Sequence, residues 1–280
     1  METVRFGFKA EDVIAEGRTT REEIEELRRM LVDVNVPELT DEQIVLFILS
    51  CDRDLKFTVT TVKEYYSARK NGPELFSNRD LERPDLQYQL DVIEYSIFPE
   101  RTDDGCAVLF HRLHDTYFSH YQMEQSMKLL FMTLDSAVFD HPPTGLVILF
   151  DMKGVGLMHL TRIKLGALRK FCHYLQEGLP VKLKEIHVLN TAYFIDKLMA
   201  IIKPLMKKEI LEQLHFHAPS ADMDMFYQNY LPKKCMPSDF GGDLPDVREL
   251  HCANTKKLRE MQTHFESEER QRSNYYQKQK

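Results

Sequence analysis

The sequence predicts an α/β protein in which a three-helix N-terminal subdomain precedes a domain with a largely parallel central sheet. Two observations carry this. The first 75 residues hold three amphipathic helical patterns and no strand signal. From about residue 85 onward, short runs rich in Val, Ile, Leu and Phe alternate with helical stretches, the texture of β-α-β units. The strongly polar end of the sequence sets the remaining boundary. The organisation read is therefore 1–75 helical, 85–250 α/β, and 251–280 a polar tail.

In order along the chain, Thr20 and Glu23 stand in capping-box spacing before a helix that puts Ile24, Leu27, Met30 and Leu31 on one face. Thr40 and Gln43 repeat the signature before IVLFILS, and a third helix runs through FTVTTVKEYYSARK until NGP stops it. Strands are expected in CAVLFHRL (106–113), GLVILFD (145–151), KEIHVLN (184–190) and EQLHFHA (212–218). Helical patterns at 119–138, 160–177 and 192–206 separate them, and a last helix near 222–231 precedes the turn-rich LPKKCMPSDFGGDLP. Residues 255–280 are so polar that they read as a frayed helix followed by disorder.

One helix stands apart. In TAYFIDKLMAIIKPLM (191–206), Phe194, Ile195, Leu198, Met199, Ile201, Ile202 and Leu205 cover an arc of roughly 160°, wider than the ~100° stripe of an ordinary surface helix. Such a face fits a core helix packed on both flanks, or one that covers a cavity.

Composition narrows the classes. The 280 residues are 29% charged and 43% hydrophobic, a globular balance, and a net charge of −7 argues against a general nucleic-acid binder. No run approaches the ~20 apolar residues of a spanning helix. METVRFGFKAEDVIAEG lacks the regions of a secretory signal. Cys51, Cys106, Cys172, Cys235 and Cys252 are odd in number and far apart, neither a disulfide framework nor a zinc spacing, so a reducing cytoplasmic setting is expected.

Catalytic patterns are missing. Gly154 and Gly156 follow a strand but do not continue into a dinucleotide fingerprint, and a turn is expected there. His111 and His114 fall on opposite faces of a strand. His215 and His217 share a face, but no third ligand adjoins them, so no metal is expected. There is no G-x-S-x-G, H-E-x-x-H or P-loop, and no catalytic residue is assigned.

The order of pieces resembles the CRAL-TRIO lipid-binding family, which includes carriers of tocopherol and retinaldehyde. The likeness spans about 20–250. DEQIVLFILSCDRDL followed by VKEYYSAR is similar to a family pattern that Asp41, Phe47, Asp54, Tyr65 and Arg69 fit, although Leu46, Leu49 and Cys51 stand where the family has arginines. GLVILFDMKG matches the strand and D-x-x-G turn through Asp151 and Gly154. GLPVKLKEIHVLN, the helix after it, K-P, and DFGG at 239–242 complete the series.

The resemblance implies an α/β/α lipid-binding domain whose 192–206 helix is a mobile lid over an apolar cavity. Carried over by position, the cavity comprises Leu146, Phe150, Phe171, Tyr174, Leu175, Leu179, Leu183, Ile186, Met199 and Ile202. Lid and membrane contact fall to Phe194, Ile195, Leu198, Met199, Ile202 and Leu205. A phosphoinositide-binding edge would use Lys182, Lys184, Lys207 and Lys208, although Glu209 and Gln213 replace two basic positions. Gln125, Lys128 and Met132 depart from the tocopherol carriers near the ligand.

The expected protein is thus a cytoplasmic, transiently membrane-associated, non-enzymatic monomer. It would need no cofactor beyond a bound hydrophobic ligand: a retinoid, tocopherol, other isoprenoid or phospholipid. The rival readings are a phosphoinositide-responsive scaffold without a ligand, and a lipid isomerase or hydrolase using Tyr174 or a strand histidine.

Overall fold

A computed structural model of the chain describes residues 3–278. After a short α1 (Ala10–Ala15), the three expected N-terminal helices form where their caps put them. Thr20 and Glu23 close the capping box of α2 (Arg21–Met30), and Thr40 and Gln43 that of α3 (Asp41–Ser50). The Asp54 carboxylate accepts the Lys56 and Phe57 N–H groups at the start of α4 (Leu55–Asn71). Two shorter helices, α5 (Pro73–Phe76) and α6 (Pro84–Val92), lead to the sheet.

That sheet has five strands in sequential order: β1 (Ile93–Ile97), β2 (Ala107–Leu113), β3 (Leu146–Asp151), β4 (Leu183–Leu189) and β5 (Leu214–Phe216). β1 runs antiparallel to β2, and every other pairing is parallel. Parallel neighbours are joined by right-handed crossovers, so a sheet that steps in one direction collects its crossover helices on one face. Those helices are α7 (Met123–Ala137), α8 (Leu165–His173), α9 (Ile195–Ile202) and α10 (Lys208–Glu212). Strand alternation sends Leu109, Ile148 and Ile186 toward this face. Val108, Phe110, Val147 and Leu149 face the other side, which α11 (Met223–Asn229) and α12 (Val247–Glu260) cover with Phe226, Val247 and Leu250.

Three expectations are corrected. β1 escaped sequence reading because IEYSI interleaves Glu94 and Ser96 with its apolar residues; both are buried, and Glu94 accepts from Arg112 at 2.6 Å. The 192–206 pattern is not one helix: α9 gives way at Pro204 to a 3₁₀ turn over Lys203–Leu205. The polar C-terminal stretch is not a frayed end. It forms α12 and α13 (Gln262–Gln277), and several of its polar residues, among them His264, Glu268 and Arg272, are buried.

Glu268 of α13 lies among three guanidinium groups. Arg272 donates to it at 2.6 Å, Arg79 bonds it, and Arg69 approaches to 3.3 Å. Arg69 and Arg79 also donate to Asp135 of α7, at 2.8 and 2.7 Å. This buried network joins α4, α7 and α13. The flanking cations hold the Glu268 carboxyl far below the usual carboxylate range against the opposing effect of burial.

The N-terminal helices share one continuous core with the sheet domain: Val62, Tyr65 and Tyr66 belong to the same cluster as Leu175 and Ile186. Gly178 permits the junction, since a Cβ there would lie 2.9 Å from the Tyr65 backbone nitrogen.

Candidate functional site

Between the sheet and its crossover helices lies a cavity of about 270 Å³, close to the ~300–1,000 Å³ of small-molecule sites. Its floor follows the two-residue strand period: Phe150 from β3, Ile186 and Val188 from β4, and Leu214 and Phe216 from β5. α7 contributes Met123, Met127 and Leu130, spaced as one helical face. α8 contributes Leu168, Phe171, Cys172 and Leu175, the last from the π-helical turn Tyr174–Gly178 that ends the helix.

α9 closes one wall with Ile195, Leu198, Met199 and Ile202, preceded by Phe194. Met199 is the only residue within α9 that is buried; Leu198 and Ile202 border the cavity yet stay partly exposed. Polar groups hold both ends of the segment. Thr191 donates its N–H to the His217 carbonyl at 2.9 Å. Gln176 donates to the Leu205 carbonyl at 3.1 Å and accepts the Lys207 N–H, while Lys207 pairs with Glu177 at 2.6 Å.

Of the ten residues expected in the cavity, six line it: Phe150, Phe171, Leu175, Ile186, Met199 and Ile202. Leu146, Leu179 and Leu183 are instead packed in the core around it. Tyr174 is turned away from the cavity. It lies against Phe76 and Phe131, with ring centroids at 4.8 and 4.9 Å, and its hydroxyl accepts from Arg69 at 3.0 Å. Burial raises its pKa, which removes it as a proton-transfer group near neutral pH. Of the expected lid residues, all but Leu205 line the cavity.

Three of the four lysines expected at a phosphoinositide edge each pair with a carboxylate. Lys182 pairs with Asp52 at 2.5 Å, Lys207 with Glu177, and Lys208 with Glu212 at 3.3 Å. Lys184 lays its stem over Gly145.

Sequence reading did not place the polar residues of the cavity lining. His111 of β2, Asp151 at the end of β3 and His159 of the turn after it are among the residues that line it. Each has a buried polar atom that no group in the protein bonds: His111 Nδ1, Asp151 Oδ2 and His159 Nε2. Burial lowers the His111 pKa to about 4, so that ring is neutral at pH 7. The D-x-x-G spacing marked Asp151 as part of a turn, and Gly154 takes the positive φ of 81° that the turn requires. Nothing in the sequence distinguished His159.

On the opposite face, His187 and His215 are register partners and stack at 5.0 Å, while His187 Nδ1 and His217 Nε2 lie 3.0 Å apart. Among the described residues no group of three or more His, Cys, Asp or Glu could hold a metal ion, and no helix is long and apolar enough to cross a membrane.

The CRAL/TRIO domain family matches residues 94–242. Alpha-tocopherol transfer protein-like of Homo sapiens is 27% identical over 245 residues, 83% of this chain and 70% of that protein. Clavesin-1 of Xenopus laevis is 20% identical over 232 residues, 81% and 69% of the two chains. The crystal structure of Sfh5 aligns with 89% of this chain and 97% of its own, at 12% identity and a TM-score of 0.44.

Proposed function

The chain belongs to the CRAL/TRIO domain family, and from that premise we propose that it binds a small lipophilic molecule in the cavity and moves it between membranes without chemical change. One observation carries the reading: a 270 Å³ cavity walled almost wholly by apolar side chains, between the sheet and its crossover helices. The name of the tocopherol-transfer relative supports the lipid class.

α9 is the proposed lid. Its cavity face is apolar, while Asp196, Lys197 and Lys203 are exposed around it, the arrangement of a helix able to lie in a membrane interface. Tyr193, next to the cavity-lining Phe194, is 86% exposed, and Met158, next to His159, is also exposed. Aromatic and flexible apolar side chains of this kind suit the headgroup boundary. Opening would require release of the Gln176 and Glu177 contacts at the end of the segment. Membrane contact drives that shift to the extent that the interface binds the open form better.

Catalysis on the ligand is not part of the proposal, because Tyr174, the side chain that reading would use, lies outside the cavity. Nor is phosphoinositide control: a headgroup would have to displace carboxylates from Lys182, Lys207 and Lys208. Five free thiols, four of them buried, suit a cytosolic setting.

The test is transfer of a fluorescent lipophile between donor and acceptor vesicles. Catalytic acceleration by the protein, little changed by phosphoinositide in the acceptor, is expected. Acceleration that appears only with phosphoinositide would favour a headgroup-controlled carrier, and no acceleration at all would remove the carrier reading and leave the scaffold.

A further inference from the structure

β5 is the shortest strand of the sheet; it stands at the edge and pairs only with β4. Its two faces meet different surroundings. Leu214 and Phe216 line the cavity, so strand alternation turns His215 to the other face. There it stacks on its register partner His187, with ring centroids 5.0 Å apart. The ring centroid of His217 lies 5.2 Å from that of His187.

The link between the strands runs through these rings. His187 is fully buried, and its Nε2 lies 2.9 Å from Glu185 Oε2. A carboxylate only accepts, so Nε2 carries the proton and the neutral ring accepts at Nδ1. His217 Nε2, 3.0 Å from that atom, is then the donor. The His217 backbone extends the connection. Its N–H donates to the Val188 carbonyl at 2.9 Å, and its carbonyl accepts the Thr191 N–H and hydroxyl, each at 2.9 Å. Thr191 stands three residues before the cavity-lining Phe194, so His217 ties β5 to the start of the 192–206 segment.

Protons oppose this arrangement. The pair can share one added proton by exchanging tautomers, but with two, both nitrogens at the 3.0 Å contact are donors. A charged His215 would stack a third cation on the first. The other titratable groups facing His187 are Glu185 of β4 and Tyr230 after α11, its ring centroid at 4.8 Å; β3 presents Leu149 and α11 presents Phe226. Burial holds the His187 and His217 rings below the ordinary imidazole pKa. A solvated strand therefore binds protons first, and the closed arrangement loses stability as pH falls below ~6.5.

We infer that the three histidines form an acid-sensitive latch: protonation drives their rings apart, releases β5 from β4 and Thr191 from His217, and opens that wall of the cavity. Faster loss of cargo in acid is the consequence that rests on the carrier reading.

The experiment is hydrogen–deuterium exchange of the full chain at pH 7.5 and pH 5, corrected for intrinsic exchange, with β3 as internal reference. Protection over 212–218 and 188–195 is expected to fall about tenfold or more at the lower pH, while β3 keeps its protection. His215→Gln/His217→Gln removes two of the three charges and leaves an amide able to bond His187 in either protonation state. Its fall should stay within about threefold. Release of a preloaded fluorescent lipophile in vesicle-free solution should follow the same pattern.

No fall in the wild type, an equal fall in β3, or an unchanged fall in the double variant would overturn the latch. Should the double variant lack protection over 212–218 already at pH 7.5, His215→Gln decides, and a fall equal to that of the wild type overturns the inference. Faster exchange with unchanged release of the lipophile would overturn the opening of the cavity wall. A lipophile that fails to bind would remove the carrier reading, while the exchange result still upholds or overturns the latch.

Discussion

Ile186→Phe separates a cavity from a packed core. The residue is buried on β4 and points into the cavity floor. An empty apolar cavity of about 270 Å³, at ~24 cal/mol per Å³, represents about 6 kcal/mol of packing that the protein forgoes. Phe adds three carbons, each contributing up to ~0.8 kcal/mol when buried, so the substitution should stabilise the ligand-free protein by about 1–2 kcal/mol after ring-ordering losses. For a chain of this size that is a rise of roughly 2–6 °C in melting temperature.

In an ordinary core the same change overpacks and destabilises by about 1–3 kcal/mol. The assay is thermal unfolding of ligand-free and lipid-saturated protein, with probe displacement in parallel. Wild-type protein should gain stability from lipid. Ile186→Phe should melt higher when empty and lose most of its response to lipid. A lower melting temperature for the empty variant, with lipid binding unchanged, would refute the reasoning.

Leu198→Asp on the proposed lid should weaken lipid retention about tenfold or more, yet lower the melting temperature less than Leu109→Asp in the fully buried sheet; equal losses of stability would make α9 plain core. Glu268→Gln leaves buried guanidinium groups short of a counter-charge and should cost about 3–5 kcal/mol, read by urea unfolding; a loss under 1 kcal/mol would mean α13 is only loosely docked. His111 has a folded pKa of about 4, below its unfolded value near 6.5. The unfolded state therefore binds the proton first, and stability falls as pH drops from ~6.5 toward 4. His111→Phe should flatten that slope between pH 7 and 4, and an unchanged slope would assign it to other groups.

Much of the fold was legible because β3 is an apolar run, β2 opens with one, β4 carries the short Ile, Val and Leu pattern of a strand, and the N-terminal helices carry reciprocal caps. β1 was not, since its polar residues are satisfied by distant partners: Glu94 by Arg112, and the Tyr95 N–H by His251. The C-terminal helices misled for the same reason. Polarity reads as disorder when no partner is visible, and Glu268 finds Arg79 across 189 residues.

At the site, the helix with too wide an apolar face was the strongest signal, and it does border the cavity. Positions carried over from a family resemblance fix which element contributes but not which way a side chain turns. Tyr174 lies on the expected helical segment and points to Arg69. That His159 joins the cavity lining depends on tertiary placement, and composition held no trace of it.

The central claim is that the cavity exists to hold a lipid. Native mass spectrometry of the purified full chain, followed by organic extraction and identification of what it carries, tests this most directly. The account predicts an adduct at one-to-one stoichiometry whose extracted mass belongs to a small lipophilic molecule. A bare protein that also takes up none of a panel of isoprenoid, long-chain and phospholipid ligands would contradict it.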